Sequence, residues 1–305
     1  MRIVIVGGTG FIGTHLVEQC VARGDQVTLL VRNLGTGQKK FPPVFFPTVN
    51  LVEYTPLSLG PWQSQLKGAD AVVNLAGASI AGRRWTVSVK QEILRSRVDT
   101  TKVLVQAIQQ ASPPPKVLIN ASAIGYYGTD PDKNFDEYSF AGTGFLAEVC
   151  KQWEAVADLA TEVTRVVKVR IGVVLGYGGA LARILPIFQA GAGGVIGSGK
   201  QWFSWIHRSD IAKLILWAIA KTDITGVVNG TAPNPVTNGE FTKALAEVLK
   251  CPAVLPVPGI ALQVLFGESA SVLLEGQKVI PRKALLNGFQ FDYPDIYSAL
   301  RQILT

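Results

Sequence analysis

The sequence predicts an α/β fold built on a doubly wound parallel sheet, and three observations predict it. Apolar, β-branched runs recur along the first 175 residues without strict in-out alternation: "RIVIVG", "QVTLLVR", "DAVVNLAG", "KVLINASA" and "TRVVKVRIGVVL". Strands written this way are buried on both faces. Amphipathic stretches between them are long enough to carry the chain back across a sheet. Directly after the first run, "GGTGFIG" spaces Gly7, Gly10 and Gly13 as G-x-x-G-x-x-G where a strand should give way to a helix.

Taken in order, "RIVIVG" is the first strand and "GTHLVEQCVARG" the first helix, closed by Gly24. "QVTLLVR" and "DAVVNLAG" are the next strands. The long helix "SVKQEILRSRVDTTKVLVQAIQQ" ends at Ser112 and the prolines 113 to 115, which cannot continue it. The strand "KVLINASA", the helix "FLAEVCKQWEAVADLA" and the strand "TRVVKVRIGVVL" follow. From Gly176 the texture changes to glycine-rich loops ("GYGGA", "GAGGVIGSGK") and proline-rich ones ("TAPNPVTN", "CPAVLPVPG"). Residues 1–175 are therefore expected to form the sheet domain and 176–305 a smaller C-terminal lobe. Segments near 203–232, "WIHRSDIAKLILWAIA" and "VVNGTA", are expected to return to the sheet.

With 305 residues, 48% of them hydrophobic and 17% charged, the chain can bury a full-sized core. The apolar run at the start is too short for a signal or a membrane span, and no later run reaches spanning length. Cys20, Cys150 and Cys251 are scattered without metal-ligand spacing, which fits a reduced compartment, cytoplasm or an organelle stroma. The net charge of +7 is spread out, densest at "GRR" (82–84) and "QKK" (38–40). An anionic ligand accounts for that charge, and no aromatic-interleaved basic stripe argues for nucleic acid.

In the glycine motif, Gly7 permits the tight turn, Gly10 lets a diphosphate approach the backbone and Gly13 packs helix on strand, while the helix N-terminus faces the anion. That is a dinucleotide site on a Rossmann sheet. At the end of the second strand an NAD site wants an acidic side chain, and "LLVRN" offers Arg32, suited to a 2′-phosphate. NADP(H) is the expected cofactor. The small residues of "NLAG", ending at Gly77, would let it lie close across the next strand end.

"GGTGFIG", "NLAG", "SAIGYYG" and "SWIHRSDIA" together resemble the extended short-chain dehydrogenase/reductases. More narrowly, "RRWT", "SRVDTT", "WEAVA", "VRIGVVLG", "GAGGVIGSGKQWFSWIH", "NGTAPNPVTN" and "FGESASVLLEGQKVIP" look like the atypical epimerase-like subfamily with a C-terminal extension, over nearly the whole chain. The resemblance implies that Thr9, Phe11 and Ile12 join Gly7, Gly10 and Gly13 around the diphosphate and that Arg32 meets the NADP phosphate. It implies backbone contacts from Leu75, Ala76 and Val174, and places Glu92 and Arg97 near the adenosine or phosphates. From the residues alone those two read as a surface pair on one helix. Some relatives carry names connected with cell division or its inhibition.

Typical members of the superfamily use Tyr-x-x-x-Lys on a helix, with a Ser or Thr at the preceding strand end. Here "FLAEVCKQWE" has no tyrosine. One alignment puts Leu146 and Cys150 at the two positions, and a slide of one residue gives Ala147 and Lys151. The serine position falls on Ala123 or Ser122. The replacement candidates are Ser122, Tyr127 and Lys151, with Tyr126, Glu148 and Cys150 behind them. His207 is expected to brace its loop, with Asp210 as the cap of the next helix. Arg83 and Arg84 with Trp85 are a possible carboxylate or phosphate clamp at the cleft mouth, and the loop from Gly191 to His207 offers donors, Lys200 and two tryptophans to a polar ring. The partner is expected to be a small-molecule substrate or a regulatory protein, the latter through "VLFGESASVLL" (264–274), with no nucleic acid and no membrane span.

Overall fold

The computed structural model describes residues 1–253 and 255–305. Val254, inside the proline-rich stretch read at 251–259, lies outside them. Seven strands form one parallel sheet: β1 (Arg2–Val6), β2 (Gln26–Val31), β3 (Val49–Glu53), β4 (Ala71–Asn74), β5 (Val117–Ala123), β7 (Arg165–Ile171) and β11 (Gly226–Gly230). Their order is β11-β7-β5-β4-β1-β2-β3. The chain thus winds outward from β1 to β3, then crosses back to β4 on the other side of β1. Val6 pairs with both Leu30 and Asn74, so the direction of winding reverses between β1 and β4. Ligands of open α/β sheets bind outside the carboxyl ends of the strands at such a reversal.

The strand runs supply two cores. Ile3 and Ile5 face one layer, where α1 (Phe11–Ala22) contributes Leu16, Val17 and Cys20, and α6 (Arg208–Ala220) contributes Ile211, Leu214 and Ile215. Val4 and Val6 face the other, with Leu104, Val105 and Ile108 of α3 (Val87–Gln110) and Ala157 of α4 (Phe145–Asp158). The period of two along β1 therefore splits between two apolar layers, and no face of it reads as polar. Thr86 starts α3, its hydroxyl accepting from the Val89 N–H. The short helix α2 (Leu34–Lys40) joins β2 to β3.

A third core is built around Trp205 by α5 (Leu181–Gln189), α7 (Asn238–Leu249) and α11 (Ile296–Leu304), with Phe188, Phe241, Leu245 and Leu300 buried in it. Short pairs complete this part. β8 (Val173–Leu175) lies beside β10 (Trp205–His207), β9 (Trp202–Phe203) beside β12 (Val236–Thr237), and β6 (Asp130–Phe135) beside β13 (Gln277–Val279). Three small helices, α8 (Gly259–Phe266), α9 (Ser271–Leu274) and α10 (Arg282–Leu286), carry the chain between them.

Three elements differ from the reading of the sequence. "TRVVKVRIGVVL" is two strands, broken at Gly172, where a Cβ would stand 2.6 Å from the Ser204 carbonyl oxygen. The chain leaves the sheet there and β8 pairs with β10. Of the returning segments, α6 lies on the sheet and β11 joins its edge, while "WIH" pairs with β8 outside the seven strands, Ile206 packing in the sheet core and Trp205 in the smaller one. The edge strand β3 has no counterpart in the reading of the sequence, because none of its residues is buried and no continuous apolar run marks it.

Candidate functional site

At the carboxyl end of β1, Gly7 has φ +79°, and a Cβ there would stand 2.7 Å from the Leu75 carbonyl carbon. Only glycine lets this turn touch the end of β4. The Gly10 N–H donates to the Gly7 carbonyl at 3.0 Å and Gly10 caps α1, whose first N–H groups have no partner within the helix. A Cβ on Gly13 would stand 2.6 Å from the Gly8 Cα, so helix and turn are in backbone contact. Thr9 is half-buried at the tip, and Ile12 leans on the core below. Phe11 is a wedge: the loop at 176–179 passes over its ring, and the Arg208 guanidinium lies 5.3 Å from the ring centre. Val174 pairs with Ile206 just before that loop.

Arg32 is exposed, one residue past β2. Asn33 accepts from the Thr36 N–H and so turns the chain into α2. At the far end of that helix the Lys40 ammonium donates to the Thr9 carbonyl, bringing a second cation to the glycine turn. The sequence marks Lys40 only as part of the basic "QKK" spot, since nothing local joins it to residue 9.

On the β4 side, Asn74 donates to Thr101 Oγ1 at 2.9 Å and to Asn120 Oδ1 at 2.7 Å, and accepts from the Ala76 N–H at 3.2 Å. The Leu75 N–H donates to the Val6 carbonyl at 2.9 Å. This network fixes the Leu75–Gly77 turn. The space a Gly77 side chain would fill belongs to Arg97, whose Cζ would be 3.1 Å from a Cβ. Arg97 donates to the Ala78 and Ile93 carbonyls, both at 3.0 Å, and lies over Trp153. Burial holds its pKa below the ordinary arginine value. Glu92 does not pair with it. It points outward to Arg83 at 2.8 Å, so these two helix residues serve different surroundings.

Ser122 and Tyr127 both border Arg170, which shares Glu154 with the serine and lies 4.9 Å from the Tyr127 ring centre, while Lys151 stands apart from them. The buried Ser122 hydroxyl donates to Glu154 Oε1 at 2.6 Å, and Glu154 also takes a two-pronged contact from Arg170, 2.8 Å on each oxygen. The Arg170 guanidinium in turn lies 3.2 Å from the centre of the Tyr126 ring. Tyr127 is buried against Phe135, its hydroxyl donates to Asn229 Oδ1 at 2.7 Å, and burial pushes its pKa up to about 12. Lys151 is exposed and paired with Glu148 at 2.6 Å. That ion pair, with Gln152, lowers the Glu148 pKa, the reverse of a carboxyl kept protonated for acid work. Of the two helix alignments, Leu146 and Cys150 are the pair turned toward β5. Leu146 packs on Gly125, and the Cys150 thiol lies 3.6 Å from the Ala123 carbonyl. Burial pushes that thiol up to about 11.

His207, not Asp210, caps α6. Its Nδ1 accepts from the Ser209 N–H at 3.1 Å and its Nε2 meets Gln302 at 2.8 Å, with burial lowering its pKa to about 4. The Asp210 carboxylate accepts from the Asp292 and Tyr293 N–H groups instead. In the 191–207 loop, Trp205 is core, while Trp202 donates to the Pro131 carbonyl and carries the Lys278 ammonium over its ring. Among the described residues no cluster of His, Cys, Asp and Glu could hold a metal ion, and no helix is long and apolar enough to cross a membrane.

Residues 3–229 match the model of the NAD dependent epimerase/dehydratase family. The chain belongs to that family. Residues 257–303 of this epimerase/dehydratase-family chain match a domain of unknown function, DUF1731. The Arabidopsis thaliana "Epimerase family protein SDR39U1 homolog, chloroplastic" is 45% identical over all of this chain and 87% of its own length. A crystal structure of human epimerase family protein SDR39U1 (isoform 2) with NADPH superposes with TM-score 0.89 at 39% identity, covering 99% of each chain. The UDP-N-acetylglucosamine 4-epimerase of Methanobrevibacter ruminantium shares the fold, with TM-score 0.79 over 99% of this chain and 96% of its own at 19% identity.

Proposed function

We propose that this protein binds NADP(H) in the crevice between the ends of β1 and β4 and acts with it on a small substrate. The observation that carries the reading is the Gly7 turn, pressed on Leu75 with no room for a side chain, at the N-terminus of α1. A diphosphate can lie against such a turn, and Arg32 with Lys40 supplies the positive charge that a 2′-phosphate favours over a bare ribose diol. The human relative with NADPH supports the same cofactor. When bound, NADPH supplies a hydride from C4 of its nicotinamide ring. Ala123, Leu146 and Cys150, close together at the β5 end, would line the floor beneath that ring, and the proton that accompanies the hydride would come from solvent at the cleft mouth, which keeps the conjugate base, since the Tyr127 hydroxyl is bound to Asn229.

A second reading, an NADPH-binding regulatory protein acting through a protein partner, is favoured by α8, where Ile260, Val264 and Leu265 are all exposed. One experiment tests both. Titration followed by tryptophan fluorescence should show NADPH binding at least about tenfold tighter than NADH, with Arg32→Ala removing the difference. Equal affinity for the two nucleotides refutes the NADP(H) reading. Oxidation of bound NADPH by any of a panel of carbonyl compounds supports the enzyme, and tight binding with no turnover supports the regulator.

A further inference from the structure

The helix α8 turns its apolar side outward. Gly259, Leu262 and Phe266 are half-buried, and a Cβ on Gly259 would stand 3.1 Å from Leu274 Cδ2, so this side of the helix rests on Leu274 of α9. At about 100° per residue, Ile260, Val264, Ala261 and Leu265 fall within an arc of about 140° on the opposite side. All four are exposed, Ile260 by 75%, Val264 by 69% and Leu265 by 65%. Leu255 before the helix and Val272 and Leu273 after it are exposed as well. A surface helix of a monomer keeps such a stripe on the core.

Charge is absent from this face. From Cys251 to Gly267 the chain has no Asp, Glu, Lys or Arg, in a protein whose net charge is +7. The next residue, Glu268, is paired with Lys90. A partner selected by charge, acidic or basic, finds nothing here to pair with. A two-fold contact needs only this one surface, met by its own copy, and uncharged surfaces meet without like-charge repulsion. The area suffices. The side chains of Leu255, Ile260, Val264, Leu265, Val272 and Leu273 expose roughly 500 Å² of apolar surface. An ordinary homodimer face buries about as much, since about 65% of its ~800 Å² is apolar.

We propose that two copies of this protein pair through α8, with the helices antiparallel and crossing at Ala261 and Val264. Ala261 is small enough to let the helix axes approach to about 8 Å. Antiparallel pairing also separates the nearest cation from its twin: Arg84 lies against Gly267, so the two arginines stand at opposite ends of the contact. The pairing gives to a second copy the face that the regulatory reading gives to another protein, and it depends on no reading of the nucleotide site. It reaches that site nonetheless. Ser269, three residues past α8, donates to the Arg83 carbonyl at 3.0 Å, and the Trp85 ring meets that of Phe145, the first residue of α4, at 5.3 Å. A dimer thus braces, in each copy, the segment that follows the Leu75–Gly77 turn.

The test is sedimentation velocity of the full chain across the micromolar range, with and without NADPH. Twice the 32.7 kDa chain mass is expected in both cases. Ile260→Asp and Val264→Asp should each raise the dimer dissociation constant at least about hundredfold, because each places an unpaired charge in an apolar contact. Their circular dichroism should not change, since both positions are exposed. Leu286→Asp, equally exposed on α10, should leave the constant within twofold. On mild oxidation Ala261→Cys should form a disulfide between copies, and Leu286→Cys should not. A chain that stays monomeric overturns the proposal, including a monomer that floats with phosphatidylglycerol vesicles through the same residues. So does a dimer that survives Val264→Asp. A chain that takes no NADPH refutes the nucleotide reading alone, and its mass still decides the pairing.

Discussion

Ser122 and Arg170 are bound to the same oxygen of Glu154, the hydroxyl at 2.6 Å and the guanidinium Nε at 2.8 Å. The serine that the sequence offers to catalysis thus helps satisfy a buried carboxylate, and through it ties the end of β5 to α4 and β7. Removing one member of a buried ion pair leaves the other charge without compensation, at a cost of about 3–5 kcal/mol. Glu154→Gln should lower stability by that amount in urea unfolding. Ser122→Ala should cost about 1–3 kcal/mol.

Gly77→Ala places a methyl group where the Arg97 guanidinium lies. Overpacking of this kind costs about 1–3 kcal/mol, and the displaced arginine no longer holds the Leu75–Gly77 turn. The variant should keep its circular dichroism spectrum while NADPH affinity falls roughly tenfold, close to 1.4 kcal/mol, in a fluorescence titration.

Tyr127→Phe separates two views of that tyrosine. Its hydroxyl is buried on Asn229, which loses a partner when the oxygen is removed. Stability should fall by about 1–3 kcal/mol. NADPH affinity, and turnover of any substrate found, should stay within twofold, because the hydroxyl is buried and its proton is committed to Asn229 Oδ1. A hundredfold loss of turnover in a folded variant would return Tyr127 to the chemistry.

Acid should weaken the fold through His207. Its pKa is about 4 when folded, against 6.5 for the free side chain, so the unfolded chain binds the extra proton between those values. Stability is therefore full above pH 6.5 and falls as pH drops toward 4, with a limiting slope of about 1.4 kcal/mol per pH unit. Unfolding curves at pH 7, 5.5 and 4.5 should show this decline. His207→Asn, which keeps a capping acceptor, should flatten it.

The parts of the fold that the sequence disclosed are those whose cause is local. Ile3 to Val6 and Val27 to Leu30 announce strands because both faces of each are covered, and the Gly7 turn is readable because strand, glycines and helix are contiguous. What it hid depends on contacts between distant residues. Gly77 reads as room for a ligand, yet its missing side chain is filled by an arginine 20 residues later. Glu154 carries no mark of its role in the sequence, because its partners Ser122 and Arg170 lie 32 and 16 residues away on other elements. Lys151 keeps the right residue type at a plausible spacing, but the phase of α4 turns it to solvent, where it pairs with Glu148, and gives the inner face to Ala147, Cys150 and Glu154.

The cap of α6 carries a consequence for synthesis. His207 waits for Gln302, 95 residues further along, and Asp210 for the backbone of residues 292 and 293. Until those residues are made, the local cap of His207 on the Ser209 N–H can form, but His207 Nε2 and the Asp210 carboxylate have no protein partners. The sheet can assemble early, but this corner closes only after the C-terminal segment has been threaded back to it. A truncation before residue 292 should therefore be retained by chaperones or degraded, although every strand of the sheet is present in it.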